Sequence, residues 1–359
     1  MKIYIILFLF FSQQFASTQK AIWVVRDALL SSKDISQVIS ASKKLNCNRI
    51  FLQFRALGSA YYPTKLDIPK KSVDDSLLVQ LFLEAARNNI EIHAWLNVCY
   101  VWYKEQLPQQ RNHIINRTKT ALIEPFDIYE KKEGWFLHPN DQVNVSEIKA
   151  IIKELIEKYN ISGIHLDYFR YPNMQMHASK LGRTEFKIKH GIDPIDVFND
   201  VDLFISQRTY GSYKHILEKY NQFLRDELSA VLSEFKSQIN GLDSEVLLSV
   251  AVKPNPVSAK HKFFQDWTTW LNKDLCDFVV LMNYNTELSK FVSNLKITEQ
   301  RTDPLKVIVG VATHNIKQND VSQRINYINK SKFLGYALFS YNYIKQKTDL
   351  YEHLKLTLN

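Results

Sequence analysis

Cysteine and glycine are both scarce in this chain of 359 residues, and each shortage removes a class of protein. The three cysteines, Cys47, Cys99 and Cys276, stand far apart. An odd, widely spaced set is neither a dense disulfide framework nor a CxxC metal pair, so they read as small buried apolar side chains. With nine glycines and no Gly/Ser/Pro-rich stretch, the chain shows no linker and no domain boundary beyond its first residues. After Phe11 nothing approaches ~20 consecutive apolar residues, which excludes a multi-span membrane protein and leaves no span in the mature chain. HExxH, Walker, GxGxxG and GxSxG patterns are all missing, so zinc-protease, nucleotide and serine-hydrolase chemistry find no support. Asp167 and His165 would supply only two ligands to an ion, and neither a metal nor a cofactor is expected.

An acidic excess is missing too. Lys and Arg outnumber Asp and Glu to give a formal net charge of +9, a field that favours anionic partners such as nucleic acid, acidic lipid or an acidic glycan. The basic residues are scattered, as with Lys149, Lys153 and Lys158 along one helix, and no run forms a nucleic-acid arm. No nucleic-acid partner is therefore expected.

What the chain does have begins at its N-terminus. Met1-Lys2, the apolar run Ile3 to Phe11 and the small residues Ala16, Ser17 and Thr18 follow the order of a secretory signal, predicting residues 1–18 as a signal segment and a secreted or periplasmic protein. An uncleaved N-terminal anchor would fit the same residues. Residues 19–359 are expected to form one domain. Within them eight β-rich apolar runs alternate with amphipathic helices, the pattern of a parallel sheet with helical crossovers. The runs are Ile22–Arg26, Arg49–Arg55, Ile90–Asn97, Ser162–Asp167, Val246–Val252, Asp277–Tyr284, Lys306–Val311 and Gly335–Ser340. Eight is the barrel number, and the fold expected is α/β: a (β/α)8 TIM barrel. Ile148, Ile151, Ile152, Leu155, Ile156 and Tyr159 mark one helix, with Asn144 or Ser146 as its cap. A second runs from about Tyr213 to Ile239. Long excursions follow strands three and four, Cys99 to Asn144 and Pro172 to Ser212, where such segments wall the cleft of a barrel enzyme.

In a parallel barrel the reacting groups sit where strands end, so polar residues in apolar strand ends are the informative ones. Strand one ends in Arg26, strand two in Gln53 and Arg55, strand three in His93, Trp95 and Asn97, and strand four in His165 and Asp167. Several of these share one face at period two, a pattern that a cleft or a buried polar network would both produce. Asp167 stands apart, because a carboxylate in Ile-His-Leu-Asp-Tyr has no cheap structural reason to lie in a central strand. It suits a glycosidase nucleophile, a general base, or support for a reacting substrate group. Arg170 beside it would hold it ionised or clamp an anion, with Tyr171 shaping the wall.

Glycosidic cleavage ordinarily needs a second carboxyl group as proton donor. Strands five to seven end in Lys253, in Asn283-Tyr284 and in Thr313-His314, none of them an acid. Asp266 is the first choice for the donor and Glu287 the second, although Asp266 would equally cap a helix. Trp102, Trp267 and Tyr284 belong to aromatic clusters suited to the apolar faces of sugar rings, though aromatics also fill ordinary cores.

The stretches Phe51-Leu-Gln-Phe-Arg-Ala-Leu-Gly-Ser-Ala-Tyr-Tyr-Pro63, which includes Tyr61, His93-Ala-Trp-Leu-Asn97, Gly163-Ile-His-Leu-Asp-Tyr-Phe-Arg-Tyr-Pro172, Gln265-Asp-Trp267 and Leu281-Met-Asn-Tyr284 resemble the glycosyl-hydrolase-like family 10. The resemblance spans nearly the whole mature chain. It implies a (β/α)8 fold, export and hydrolysis of a polysaccharide, and some members of the wider family cleave peptidoglycan glycan strands. Two departures stand out. Leu57 and Ser59 replace an arginine and an acid of the family's second motif. Strand four is also similar to the chitinase pattern, but with His165 at an aspartate position and Phe169 at the glutamate's. Those departures keep open a competing expectation, a glycan-binding barrel without catalysis.

Overall fold

The computed structural model describes residues 18–28, 31–71, 73–126, 132–174 and 176–358. The expected signal segment lies outside them except for Thr18. Eight strands form the centre: β1 (Gln19–Val24), β2 (Arg49–Ala56), β3 (Glu91–Asn97), β4 (Gly163–Asp167), β5 (Leu247–Val252), β6 (Phe278–Met282), β7 (Val307–Ala312) and β8 (Gly335–Phe339). Each pairs in parallel with its neighbours in sequence, and β8 closes back on β1 with Ile22 opposite Leu338. The molecule is a (β/α)8 barrel. All eight sequence-predicted runs are strands, with ends shifted by a few residues. The first stops at Val24 because Arg26–Ala28 turn into a 3-10 helix.

The helices used below are α1 (Ser32–Lys44), α2 (Asp75–Arg87), α3 (Gln142–Lys158), α4 (Lys180–His190) and α5 (Tyr210–Leu242). After them come α6 (Trp267–Asn272), α7 (Leu288–Glu299), α8 (Gln318–Asn329) and α9 (Thr348–Leu358). Side-chain oxygens of Ser31, Asp74, Asp141, Ser179 and Thr209 accept backbone N–H groups in the first turns of α1 to α5, satisfying donors that have no partner within a helix. The cap of α3 is thus Asp141, not Asn144 or Ser146. Asn144 is released to face inward, where its amide nitrogen donates to the Val98 carbonyl.

Period-two alternation along the strands separates two cores. One set of side chains, including Ile22, Leu52, Ile92, Ile164, Leu248 and Val309, packs outward against the helices. The other set fills the lumen with Trp23, Phe51, Trp95, Phe278, Val280 and Ile308. His93 and His165 join this inner packing: the His165 ring stacks on Phe51 at 4.2 Å and His93 meets Phe51 edge-on. Gly163 makes room for His93, because a Cβ there would lie 2.2 Å from its Nδ1. The lumen is therefore a packed core, with a cavity at its carboxyl end.

The described residues of the segments 98–141 and 168–209 form walls above that end. A two-stranded pairing of Tyr100–Trp102 with Trp135–Phe136 folds the first segment on itself. A second pairing, Glu124–Pro125 with His177–Ala178, stitches it to the other. Beneath them the buried Arg55 donates to the Asn97 carbonyl, to Asn144 Oδ1 and to Glu147 Oε1 (2.9 Å), and Glu147 also accepts from Arg117 at 2.8 Å. This network locks the end of β2 to the end of β3 and the start of α3. Removing the buried carboxylate leaves the Arg55 guanidinium desolvated with its main counter-charge gone, so Glu147→Ala is expected to lower unfolding free energy by ~3–5 kcal/mol. Urea unfolding followed by circular dichroism checks it, through a lower midpoint at unchanged slope.

Candidate active site

Asp167 is the last residue of β4, opposite Asn97 on β3. Its carboxylate is almost wholly buried, yet it faces a cavity of about 560 Å³ at the carboxyl end of the barrel. Two hydrogen bonds hold it: the Trp95 indole N–H donates to Oδ2 at 3.1 Å and the Tyr168 backbone N–H to Oδ1 at 2.7 Å. Burial raises its pKa above the usual aspartate value, outweighing those two bonds and the charges of Arg170 and Lys253, which lower it. Tyr168 has a left-handed backbone, φ 50°, a conformation unfavourable for a non-glycine residue and often found at functional sites. It turns the chain sharply after the strand, and its ring stacks on Tyr100 at 4.6 Å.

Below the carboxylate, His165 is a neutral strut. The Trp23 indole donates to its Nε2 (3.2 Å), which assigns the ring proton to Nδ1, 2.9 Å from Ser249 Oγ. Burial holds its pKa well below the ordinary histidine value. His93 is likewise pushed down, to about 4, by burial.

A second carboxylate lines the same cavity: Glu133, from the excursion after β3. Arg170 donates to both its oxygens, Nη2 to Oε1 at 2.5 Å and Nη1 to Oε2 at 3.0 Å, and the Asn173 backbone N–H adds a bond at 3.2 Å. Burial opposes ionisation, but the Arg170 contacts prevail and the Glu133 pKa lies below its ordinary value. Lys253, from the end of β5, completes the charged wall with its ammonium 4.7 Å from the Phe263 ring centre.

The structure gathers many of the sequence-predicted residues at this cavity: Arg26, Gln53, Trp95, Asn97 and Asp167, with Arg170, Lys253 and Tyr284. Arg26 donates to Gln53 Oε1 at 2.8 Å and lies over the Tyr61 ring, so Tyr61 sits behind the wall. Others are placed elsewhere. Arg55, His93 and His165 are internal, and Tyr171 is buried behind the wall against His138 and His177. Trp267 lies under β5 with its N–H on the Lys253 carbonyl, while Asn283 binds the Phe291 carbonyl at the start of α7. Trp102 packs on His113. Neither expected proton donor lines the cavity. Asp266 stands at the start of α6 paired with Lys260 at 2.7 Å, and Glu287 is an exposed partner of Lys290.

Leu57 and Tyr103 also line the cavity, while Trp23, Phe339 and above all Glu133 line it without having been singled out as site residues. The one signal for Glu133 was its place in a long excursion expected to wall the cleft.

The cavity at the carboxyl end of this packed (β/α)8 barrel is thus lined by two carboxylates, three cations and aromatic rings. The chain belongs to the glycosyl hydrolase-like 10 family, whose model matches residues 17–329. Among curated proteins none matches it. Solved structures similar to it include the glycoside hydrolase domain of PgaB (BpsB) from Bordetella bronchiseptica, at 14% identity and TM-score 0.63, covering 95% of this chain and 99% of that one. The catalytic domain of β-amylase from Paenibacillus polymyxa is similar over 94% of this chain and 97% of that one, at 12% identity and TM-score 0.59. At these identities the likeness is one of fold. No helix among the described residues is long and apolar enough to cross a membrane.

The Trp95 bond favours the ionised form of Asp167, so its loss must move the Asp167 pKa further up. Trp95→Phe is expected to show this in a carboxyl 13C NMR titration. A fixed or lowered pKa would mean that the indole does not tune the carboxylate.

Proposed function

We propose that this protein is an exported glycoside hydrolase whose barrel domain, residues 19–359, cleaves a polysaccharide, with a bacterial cell-wall glycan such as peptidoglycan as the substrate. The observation that carries the reading is Asp167, buried at the end of β4 yet open to a cavity, with its pKa raised. A carboxyl group that keeps its proton to higher pH than an ordinary aspartic acid suits protonation of a leaving glycosidic oxygen. Glu133, held ionised, is the second carboxylate, placed to orient water or balance positive charge on the sugar ring. Arg26, Arg170 and Lys253 suit an anionic or strongly hydrogen-bonding glycan, and Tyr100, Tyr103 and Tyr284 offer faces for sugar rings. Export rests on the charge and apolar order of residues 1–18.

A glycan-binding barrel without catalysis is the second reading. It is favoured by the saturation of both Glu133 oxygens by Arg170 and the Asn173 N–H. Incubation with peptidoglycan strands stripped of peptides, with products read by mass spectrometry, separates the two. Hydrolysis predicts shortened glycans, and Asp167→Asn should slow their release ~10²–10⁴-fold while the protein stays folded. Strand binding without cleavage would support the binding barrel, and full activity in Asp167→Asn would remove Asp167 from the mechanism. The pH profile has a fixed sign: the donor works while protonated, so activity falls as pH rises through the raised Asp167 pKa. The acid limb follows protonation of Glu133, below the usual glutamate range.

A further inference from the structure

Behind the cleft, three donor atoms from distant parts of the chain converge without a partner. His138, from the end of the excursion after β3, is buried, and its Nε2 lies 3.8 Å from Glu185 Oε2 on α4 and 3.7 Å from Glu227 Oε2 on α5. The facing atoms of this trio lie within 4.8 Å of one another. His138 Nε2, Glu185 Oε2 and Glu227 Oε2 are each buried and each lack a hydrogen bond. Two carboxylates facing one another in a desolvated place repel. Burial and the Glu227 charge push the Glu185 pKa up. Among the described residues no lysine or arginine pairs with either; Arg183, on the same helix as Glu185, is taken by Asp193.

An imidazolium bridging the two carboxylates would form hydrogen bonds of about 2.7–3.2 Å, well inside the spacing found. A metal ion accounts for it better. Ligand bonds of about 2.0–2.2 Å at tetrahedral or trigonal angles put donor atoms about 3.3–3.8 Å apart. The ring is also held for this arrangement. It packs edge-on against Tyr171 and over Phe223, and Gly182 in the first turn of α4 leaves the space it fills, since a Cβ there would lie 2.6 Å from its Cε1. The buried Tyr171 hydroxyl, in the field of the same two carboxylates, has no partner either.

We infer that His138, Glu185 and Glu227 form a structural site for a divalent transition-metal ion of the zinc type, one imidazole and two carboxylates with solvent completing the shell. The sequence raised no expectation of a metal, because the ligands share no motif spacing. The ion would tie α4 and α5 to the excursion after β3. It would brace Tyr171, whose carbonyl accepts a bond from Arg170 at 3.0 Å, so the site supports the cleft wall from behind and takes no part in chemistry.

The test uses the full chain, stripped with chelator and dialysed, then equilibrated with Zn2+ and measured by isothermal titration calorimetry and by metal analysis after gel filtration. One zinc per chain and a rise in Tm on zinc addition are expected for the wild type. Both should be lost in the near-isosteric E185Q/E227Q variant and in the single E227Q variant, with circular dichroism matching the stripped wild type. Absent or substoichiometric binding by the wild type would overturn the inference. So would stoichiometric binding that persists in both variants.

Discussion

Desolvation of one carboxylate governs the architecture of the cleft. Asp167 rests on a lumen already filled by rings, and among the described residues two groups donate hydrogen bonds to its carboxylate, the Trp95 indole and the Tyr168 N–H. A buried anion with so few donors is costly and tends to keep its proton. The neutral His165, fixed between Trp23 and Ser249, offers it no compensating charge from below. Its environment is therefore set by what the walls bring in from above.

Those walls come from two long excursions stitched together by short strand pairings. The left-handed turn at Tyr168 costs about 1–3 kcal/mol in isolation, and it is held by the Asp167 bond to its N–H and by stacking on Tyr100. Arg170 follows at once, and its fork fits Glu133 on the opposite excursion. One cation thus joins the two walls and lowers the Glu133 pKa, while burial raises that of Asp167. Two carboxyl groups in one cavity with opposite pKa shifts are the arrangement that divided acid and base roles require.

Much of the barrel was legible because strand and helix periods are local properties. A strand buried on both faces reads as an apolar run whichever partners it meets, and a polar residue inside it stands out, as Asp167 did. The partner carboxylate was not legible. Asp266 and Glu287 lie close to strand ends in sequence, but Asp266 begins a helix beside Lys260 and Glu287 faces solvent beside Lys290. Glu133 lies more than thirty positions before Asp167, in a segment without periodicity. Only the fold of that segment onto Arg170 gives it a role.

The same division holds for the histidines and aromatics. Polar residues at period two in β3 and β4 were legible as an inward face, but that face runs from packed core to cleft, and in β2 a register shift after Gln53 turns Arg55 away to α3. Height along the barrel axis separates His93 and His165, which are core, from Trp95, Asn97 and Asp167, which reach the cavity. Sequence alone determined the strands, the amphipathic helices, the family resemblance and the carboxylate at the end of the fourth strand, because each depends on residues adjacent along the chain. Tertiary structure alone decided which second acid faces the cavity, which histidines are sealed in the lumen, and that His138, Glu185 and Glu227 meet. Those outcomes depend on how long loops close over the barrel, and closure is a contest among contacts far apart in sequence.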